Sequence, residues 1–476
     1  MSRIVTIIFS FIVFCGCATQ VPNHQELTQK IPQNFANQKI IEQIAFAMPS
    51  STILSPKEQM QILFADEVLW GLIEIAIKQN MDLQIAQTRI LQARSQLKSA
   101  WGEMFPQVNA NLKVNDSHTR GSSVKNGAVV ETSNQNTQIQ ATLSWEVDLF
   151  GRLSAAKNAK ESLYYKSLED LSNAQIILLG DVANLYFTLR EMSLNILLTQ
   201  ENILYYQDIL ELTRLKVENG LLDTTELFDA QDMLTNEQNI LEQLKSKQEE
   251  TKNALLVLLD VKNLDFNLLG DYVFVLPSTF ALNTIPADVL LFRPDIKAAI
   301  QSLYAQVYNK ENAKASLFPI LSLSANLSDV LGSSQGEAGN LAWSLAAGLT
   351  APILNRTQLT QNYFLQDAIL QESYLTLQKT LNTALAEVEN AIFNTQSSQL
   401  QVQNNTQRFQ NAKSYYEFSA NRRSIGLIDE LEYLTNKTSL NNSQKNLNTS
   451  KNTHLQALVT LFKAFGGNLY LTKEAQ

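Results

Sequence analysis

All ten prolines of this 476-residue chain fall at Pro22, Pro32, Pro49, Pro56, Pro106, Pro277, Pro286, Pro294, Pro319 and Pro352, so 153–276 and 357–476 contain none. Proline inside a helix costs ~3 kcal/mol, and its absence over such spans permits helices far longer than the globular mean of ~11–12 residues. From Leu153 to Glu218 the only glycine is Gly180, and from Thr357 to Ile425 there is none. Each stretch can run as one helix of ~100 Å at ~1.5 Å per residue. The second carries a seam of Leu370, Tyr374, Leu377, Leu381, Ala384, Val388 and Ala391, whose 3.5-residue period predicts coiled-coil packing. Leu227, Leu234, Leu241 and Leu255 suggest the same in a returning helix. Taken alone, such seams specify only packing between helices.

The chain is also a duplication. Phe105-Pro106, which closes a helical stretch and opens an alternating one, recurs 213 residues later at Phe318-Pro319. Gly220-Leu221-Leu222-Asp223 with Glu226 returns, at an offset of 206, as Gly426-Leu427-Ile428-Asp429 with Glu432. The drift between offsets marks small insertions between otherwise matching copies.

Each copy holds a strand pair with strict period-two alternation. Ile139, Ala141, Leu143, Trp145, Val147 and Leu149 alternate with polar residues, and Val108, Ala110, Leu112 and Val114 do so in the partner strand. Leu321, Leu323, Ala325 and Leu327, then Leu341, Trp343, Leu345, Ala347, Leu349, Ala351 and Ile353, repeat the pattern in the second copy. Strands are expected at about 106–117, 137–149, 319–330 and 341–354, with polar loops at His118–Asn136 and Asp329–Asn340. A soluble sheet with one wet face gives the same alternation. Lengths of ~9–11 residues fit a tilted membrane crossing, and the polar loops together with an export leader favour the membrane reading. Four strands cannot close a barrel, and an open edge in lipid leaves backbone groups unpaired, so copies of the chain must pool strands. Two copies give a filled interior; three or four leave room for a pore.

The leader occupies residues 1–16. Arg3 supplies its charge, Ile4–Phe14 its apolar core, and Phe14-Cys15-Gly16-Cys17 resembles a bacterial lipobox, which makes Cys17 the expected lipidated N-terminus. Both cysteines then have roles outside the fold, leaving neither a disulfide nor a thiol catalyst. Ala18 after the thiol favours the outer membrane by similarity to lipoprotein sorting rules. A formal charge of −9 and a pI near 5.1 argue against nucleic acid as a partner.

Where the long helices should turn back, Gly220 and Gly426 suit left-handed helix ends, Asp223 and Asp429 suit N-caps, and Glu226 and Glu432 are spaced to complete capping boxes. The same acids, repeated around a symmetry axis, would also make a cation-selecting ring at a narrow tip, latched by Arg422 or Arg423. Those arginines equally suit the negative end of a helix dipole. Catalytic chemistry has one motif, Gly332-Ser333-Ser334-Gln335-Gly336, and its context is wrong: it joins two strands, with only His24, His118 and His454 as bases. No nucleotide loop or metal-spaced His/Cys cluster accompanies it, so no catalytic residue, metal or cofactor is expected beyond the lipid on Cys17.

Duplicated strand pairs between long helices, Arg293-Pro294-Asp295-Ile296-Lys297-Ala298-Ala299 running to Phe318-Pro319, Trp145-Glu146-Val147-Asp148-Leu149-Phe150-Gly151-Arg152, and the paired tip glycines resemble the TolC-type outer-membrane efflux channels, in their lipoprotein branch. That resemblance implies an α+β membrane fold in which four strands per chain enter a trimeric twelve-stranded barrel, above a periplasmic tunnel of long coiled-coil helices. It implies a passive exit duct in the outer membrane whose partners are a homotrimer's other copies, outer-membrane lipid, a periplasmic adaptor and an inner-membrane transporter. The domains expected are the signal peptide 1–16, a lipidated arm 17–64, a first repeat 65–258, an equatorial connector 259–290, a second repeat 291–466 and a tail 467–476. By the same resemblance Gly220, Glu226, Arg422, Arg423, Gly426 and Glu432 form the periplasmic tip and gate, and Leu221 and Leu427 contact the adaptor. Arg423, Ile428 and Thr435 stand where some members carry a gate tyrosine, an arginine and a second acid. A trimeric coiled-coil surface lipoprotein or adhesin without channel activity is the alternative.

Overall fold

The structure is a computed structural model that describes residues 55–122, 129–263, 287–333 and 341–467. The leader, Cys17, most of the arm and connector, and all but the first residue of the tail lie outside them. In chain order come α1 (Pro56–Phe64), α2 (Glu67–Gln79), α3 (Met81–Gly102), β1 (Gln107–Ser122), β2 (Val129–Val147), α4 (Arg152–Glu218), α5 (Thr224–Leu259), a 3-10 turn (Ala287–Phe292), α6 (Pro294–Ala315), β3 (Ile320–Ser333), β4 (Ala342–Thr350), α7 (Arg356–Ser424) and α8 (Glu430–Ala464). The proline-free stretches do become single helices, of 67 residues in α4 and 69 in α7. Two compact units share the chain: one holds residues 89–168 and 298–378, the other 55–88, 169–297 and 379–467 of the described residues.

The first unit carries the sheet, whose order is β1-β2-β3-β4, every pair antiparallel. Its register aligns the four alternations. Val108 lies opposite Leu143, Leu143 opposite Ala325 and Ala325 opposite Leu345, while Asn109, Thr142, Asn326 and Ser344 form the neighbouring row on the other face. One face is therefore apolar across all four strands, and the other is polar on β1 to β3 and lined by small residues on β4, with Gln140 Nε2 donating to Asn326 Oδ1 at 3.0 Å. No described residue covers the apolar face: Trp343 is 73% and Leu345 75% exposed. Within this chain the outer edges of β1 and β4 have no ladder partner among the described residues.

Two boundaries depart from expectation. β1 continues to Ser122 and β2 begins at Val129, so most of the supposed loop His118–Asn136 is paired ribbon, and β3 reaches Ser333 inside Asp329–Asn340. Polar residues on both faces erase the period-two signal without weakening the backbone ladder. In the other direction β4 stops at Thr350, because Pro352 has no N–H to offer a ladder.

Residues 145–154 make the joint from sheet to helix. Trp145 Nε1 donates to Met104 O at 3.0 Å, Arg152 grips Glu146 through two bonds of 2.9 and 2.7 Å, and Asp148 accepts the N–H groups of Leu153 and Ser154 at 3.0 and 2.8 Å. Asp148 thus covers orphan donors at the start of α4. The duplicated Phe-Pro corners supply aromatics beside it: Phe318 stacks on Phe150 at 5.0 Å, and Phe105 meets Trp101 edge-on at 4.5 Å.

The second unit is a helical bundle. Leu381, Ala384, Val388 and Ala391 of the anticipated α7 seam are buried in it, whereas of the returning-helix leucines only Leu234 and Leu255 are. Gly180, the glycine inside α4, marks a close crossing. A Cβ there would come within 2.5 Å of the Lys463 stem, whose Nζ reaches Asp181 at 3.0 Å. The seam between α4 and α8 is polar instead of leucine-rich, since buried Asn202 accepts from Asn441 and Asn195 accepts from Asn448, and Lys445 of α8 pairs with buried Glu237 of α5 at 2.7 Å. Buried amides fix helix register at a cost in stability, because a slipped register strands them without partners. No helix among the described residues is long and apolar enough to cross a membrane.

The Arg-Pro-Asp motif acquires a structural role here. Arg293, 6% exposed, donates to Ala464 O at 2.7 Å, to both Asp295 oxygens and to Glu387 at 2.7 Å. Gly466 and Gly467, with φ of +64° and +73°, wrap the end of α8 by donating to Lys463 O and Phe462 O. Arg293 thus satisfies a carbonyl at the last turn of α8 and ties that turn to α7.

Candidate functional site

The two helix reversals of the second unit, at 219–223 and 425–429, bring the anticipated tip residues to one end of the α4–α5 and α7–α8 hairpins. Gly220 and Gly426 adopt φ of +70° and +75°. In each reversal the third N–H after the helix returns to a carbonyl of the last turn: Leu221 N to Lys216 O at 2.8 Å, Leu427 N to Arg422 O at 2.9 Å. A side chain at either glycine would meet the left-handed steric penalty. Leu221 and Leu427 project from these turns at 72% and 62% exposure. Beneath them Tyr205, Ile209, Ala230 and Leu434 form a small buried cluster that ties α4, α5 and α8 together.

Both aspartates cap, but the capping boxes do not form. Asp223 accepts from Thr225 N at 2.9 Å and Asp429 from Glu432 N at 2.9 Å, whereas neither Glu226 nor Glu432 returns a bond to its cap backbone among the described contacts. Among the described residues a capping box forms at Ser55–Glu58 instead. Charge explains Glu432, whose carboxylate lies 3.9 Å from Arg422. Glu226 is exposed and makes no ion pair among the described residues.

Arg422 and Arg423 do reach acids, and not the same one. Arg423 pairs closely with Glu430 and lies over the Tyr433 ring at 4.5 Å. Tyr433 in turn stacks on Tyr416 at 5.4 Å, their hydroxyls 2.7 Å apart. Burial, then the Tyr433 hydroxyl, pushes Tyr416 up to about 12, so its hydroxyl stays protonated across ordinary pH.

The residue that sequence reading missed is Lys216. Its ammonium crosses from the end of α4 to the Asp429 carboxylate, joining the first copy's reversal to the second copy's cap. A signal existed, because Lys216 stands four residues before its tip glycine, as Arg422 does before Gly426. Lys216, followed by the Glu432 N–H, holds Asp429 below its ordinary value. A lowered carboxylate keeps its contribution above the ordinary range and loses it only as pH falls through the lowered value. The Lys216–Asp429 link is therefore complete at pH 7 and at pH 5.

Among the described residues no group of three or more His, Cys, Asp or Glu side chains is placed to hold a metal ion. The arrangement is a set of ion pairs and aromatic contacts across a helical tip.

A family model described as outer membrane efflux protein matches residues 72–260 and 285–467. The chain is 26% identical over 437 residues to TtgC, a probable efflux pump outer membrane protein of Pseudomonas putida, covering 88% of this chain and 87% of that one. It is also 26% identical over 472 residues to SrpC, a solvent efflux pump outer membrane protein of Pseudomonas putida, covering 96% and 97%. Among solved structures, the CmeC outer membrane channel of Campylobacter jejuni superposes with a TM-score of 0.78 at 24% identity, covering 94% of each chain. The match takes in both copies of the duplication, the strand pairs and the tip glycines alike, and the chain belongs to the outer membrane efflux protein family.

Proposed function

We propose that the protein is the passive exit duct of a tripartite efflux or secretion system: a homotrimer in the outer membrane, lipid-anchored at Cys17, that docks a periplasmic adaptor and is powered by an inner-membrane transporter. The observation that carries this reading is the four-stranded register, with one face apolar and uncovered, the opposite face polar, and two unpaired edges. In lipid such edges demand partners, and pairing β1 of one copy with β4 of the next closes a barrel without leaving any. A surface stalk or adhesin accounts for the helices and the anchor but not for that face. Efflux-pump names among the relatives give further support.

In this reading the tip is the gate. Lys216–Asp429 joins the two hairpins, Arg422–Glu432 and Arg423–Glu430 brace the second at its turn, Glu226 and Glu432 line the constriction, and exposed Leu221 and Leu427 meet the adaptor. Exposed ion pairs contribute at most ~1 kcal/mol each. Repeated over three copies, they sum to enough to hold a gate shut and little enough for a partner to open it. Purified protein in planar bilayers should show low conductance at pH 7 and at pH 5, and an Arg422→Ala/Arg423→Ala variant should raise open probability about tenfold or more. Silence from both proteins would reject the duct. The anchor is tested separately by palmitate labelling, which Cys17→Ser should abolish.

A further inference from the structure

The polar face of the sheet is almost without charge. Gln107, Asn109 and Asn111 on β1, the polar positions of β2 inward of Gln138, Ser322 to Ser328 on β3, and Ser344 on β4 follow the register as neutral groups, with two exceptions. Glu146 is neutralised by the bidentate Arg152. Lys113 has no such partner: it lies opposite Gln138, is exposed, and makes no ion pair among the described residues.

Its height follows from the register too. On the apolar face Leu112 lies opposite Ile139 with Asp329 next across the sheet, and one row further out Val114 faces Thr137, so the apolar band gives way over these two rows. Lys113 is the next residue outward on the opposite face, toward the β1–β2 hairpin and away from the helices. In a closed barrel this is the outer mouth of the lumen.

We infer that Lys113 sets the ionic preference of that mouth, making the barrel favour anionic over cationic solutes. The inference rests on the duct reading, since a single chain has no lumen. Three copies place three ammonium groups around one wet passage with low-dielectric walls, which focus their field. At physiological salt the Debye length of ~8 Å is a substantial part of such a passage, and at 1 M it shrinks to ~3 Å. The tip carboxylates of the second unit would act as a separate filter.

The test is reversal potential across a KCl gradient in planar bilayers, in the Arg422→Ala/Arg423→Ala background so that the tip does not limit current. Lys113→Gln should lower the chloride-to-potassium permeability ratio by about twofold or more, Lys113→Glu should lower it further or invert it, and Lys113→Arg should keep it. The differences should fade in ~1 M salt. Conducting channels with the same reversal potential in all four proteins would overturn the inference while leaving the duct intact. A parent without conductance would overturn both.

Discussion

Arginine in place of Leu345 is expected to abolish stable insertion, and arginine in place of the adjacent Ser344 to leave it intact. Leu345 sits in the apolar row with Val108, Leu143 and Ala325, and Ser344 in the polar row with Asn109, Thr142 and Asn326. A lipid-facing arginine near the midplane of a barrel costs ~2–4 kcal/mol. Three copies in one barrel multiply that to about 6–12 kcal/mol, comparable to the whole stability of a domain. On the wet face the same side chain keeps its hydration. Heat-modifiable migration and carbonate extraction of the two variants should differ completely. Equal recovery of both from the membrane would mean that the apolar face does not meet lipid.

Loss of Arg293 should be the most damaging single change in the helical unit. The guanidinium is buried and serves Ala464 O, Asp295 and Glu387 at once. Breaking a buried charge network by removing one partner costs ~3–5 kcal/mol, mostly through what remains unpaired. Because Glu387 and Asp295 are partly exposed and can rehydrate, Arg293→Ala is expected near the lower end, about 3 kcal/mol. Arg293→Lys should recover only part of it, since one ammonium cannot reproduce the planar fork on three partners. Denaturant melts followed by helical signal would show it. A midpoint unchanged in both variants would remove Arg293 from the list of structural residues.

Much of the architecture was legible because its causes are local. Proline and glycine positions set where α4 and α7 run, period two set the faces of the strands, and the tip glycines stood where the chain needs positive φ. The strand ends were misjudged where causes were not local: residues 118–122 and 131–136 are mainly polar on both faces, and only backbone pairing reveals the ribbon. Capping boxes were misjudged for a similar reason. Sequence offers Glu226 and Glu432 at the right spacing, but Arg422 competes for Glu432 through space, and Lys216 claims Asp429 from another helix.

By itself, then, the sequence determined the duplication, the long helices, the two-faced strands and the reversals at Gly220 and Gly426, since each follows from steric and hydrophobic rules acting within a few residues. Tertiary structure alone decided the pairing of β2 with β3 that merges two copies into one sheet, the polar seam between α4 and α8, and the role of Lys216. Those depend on which side chains meet across 100 or more positions of chain, and a charge or an amide carries no mark in the sequence of the partner it will find.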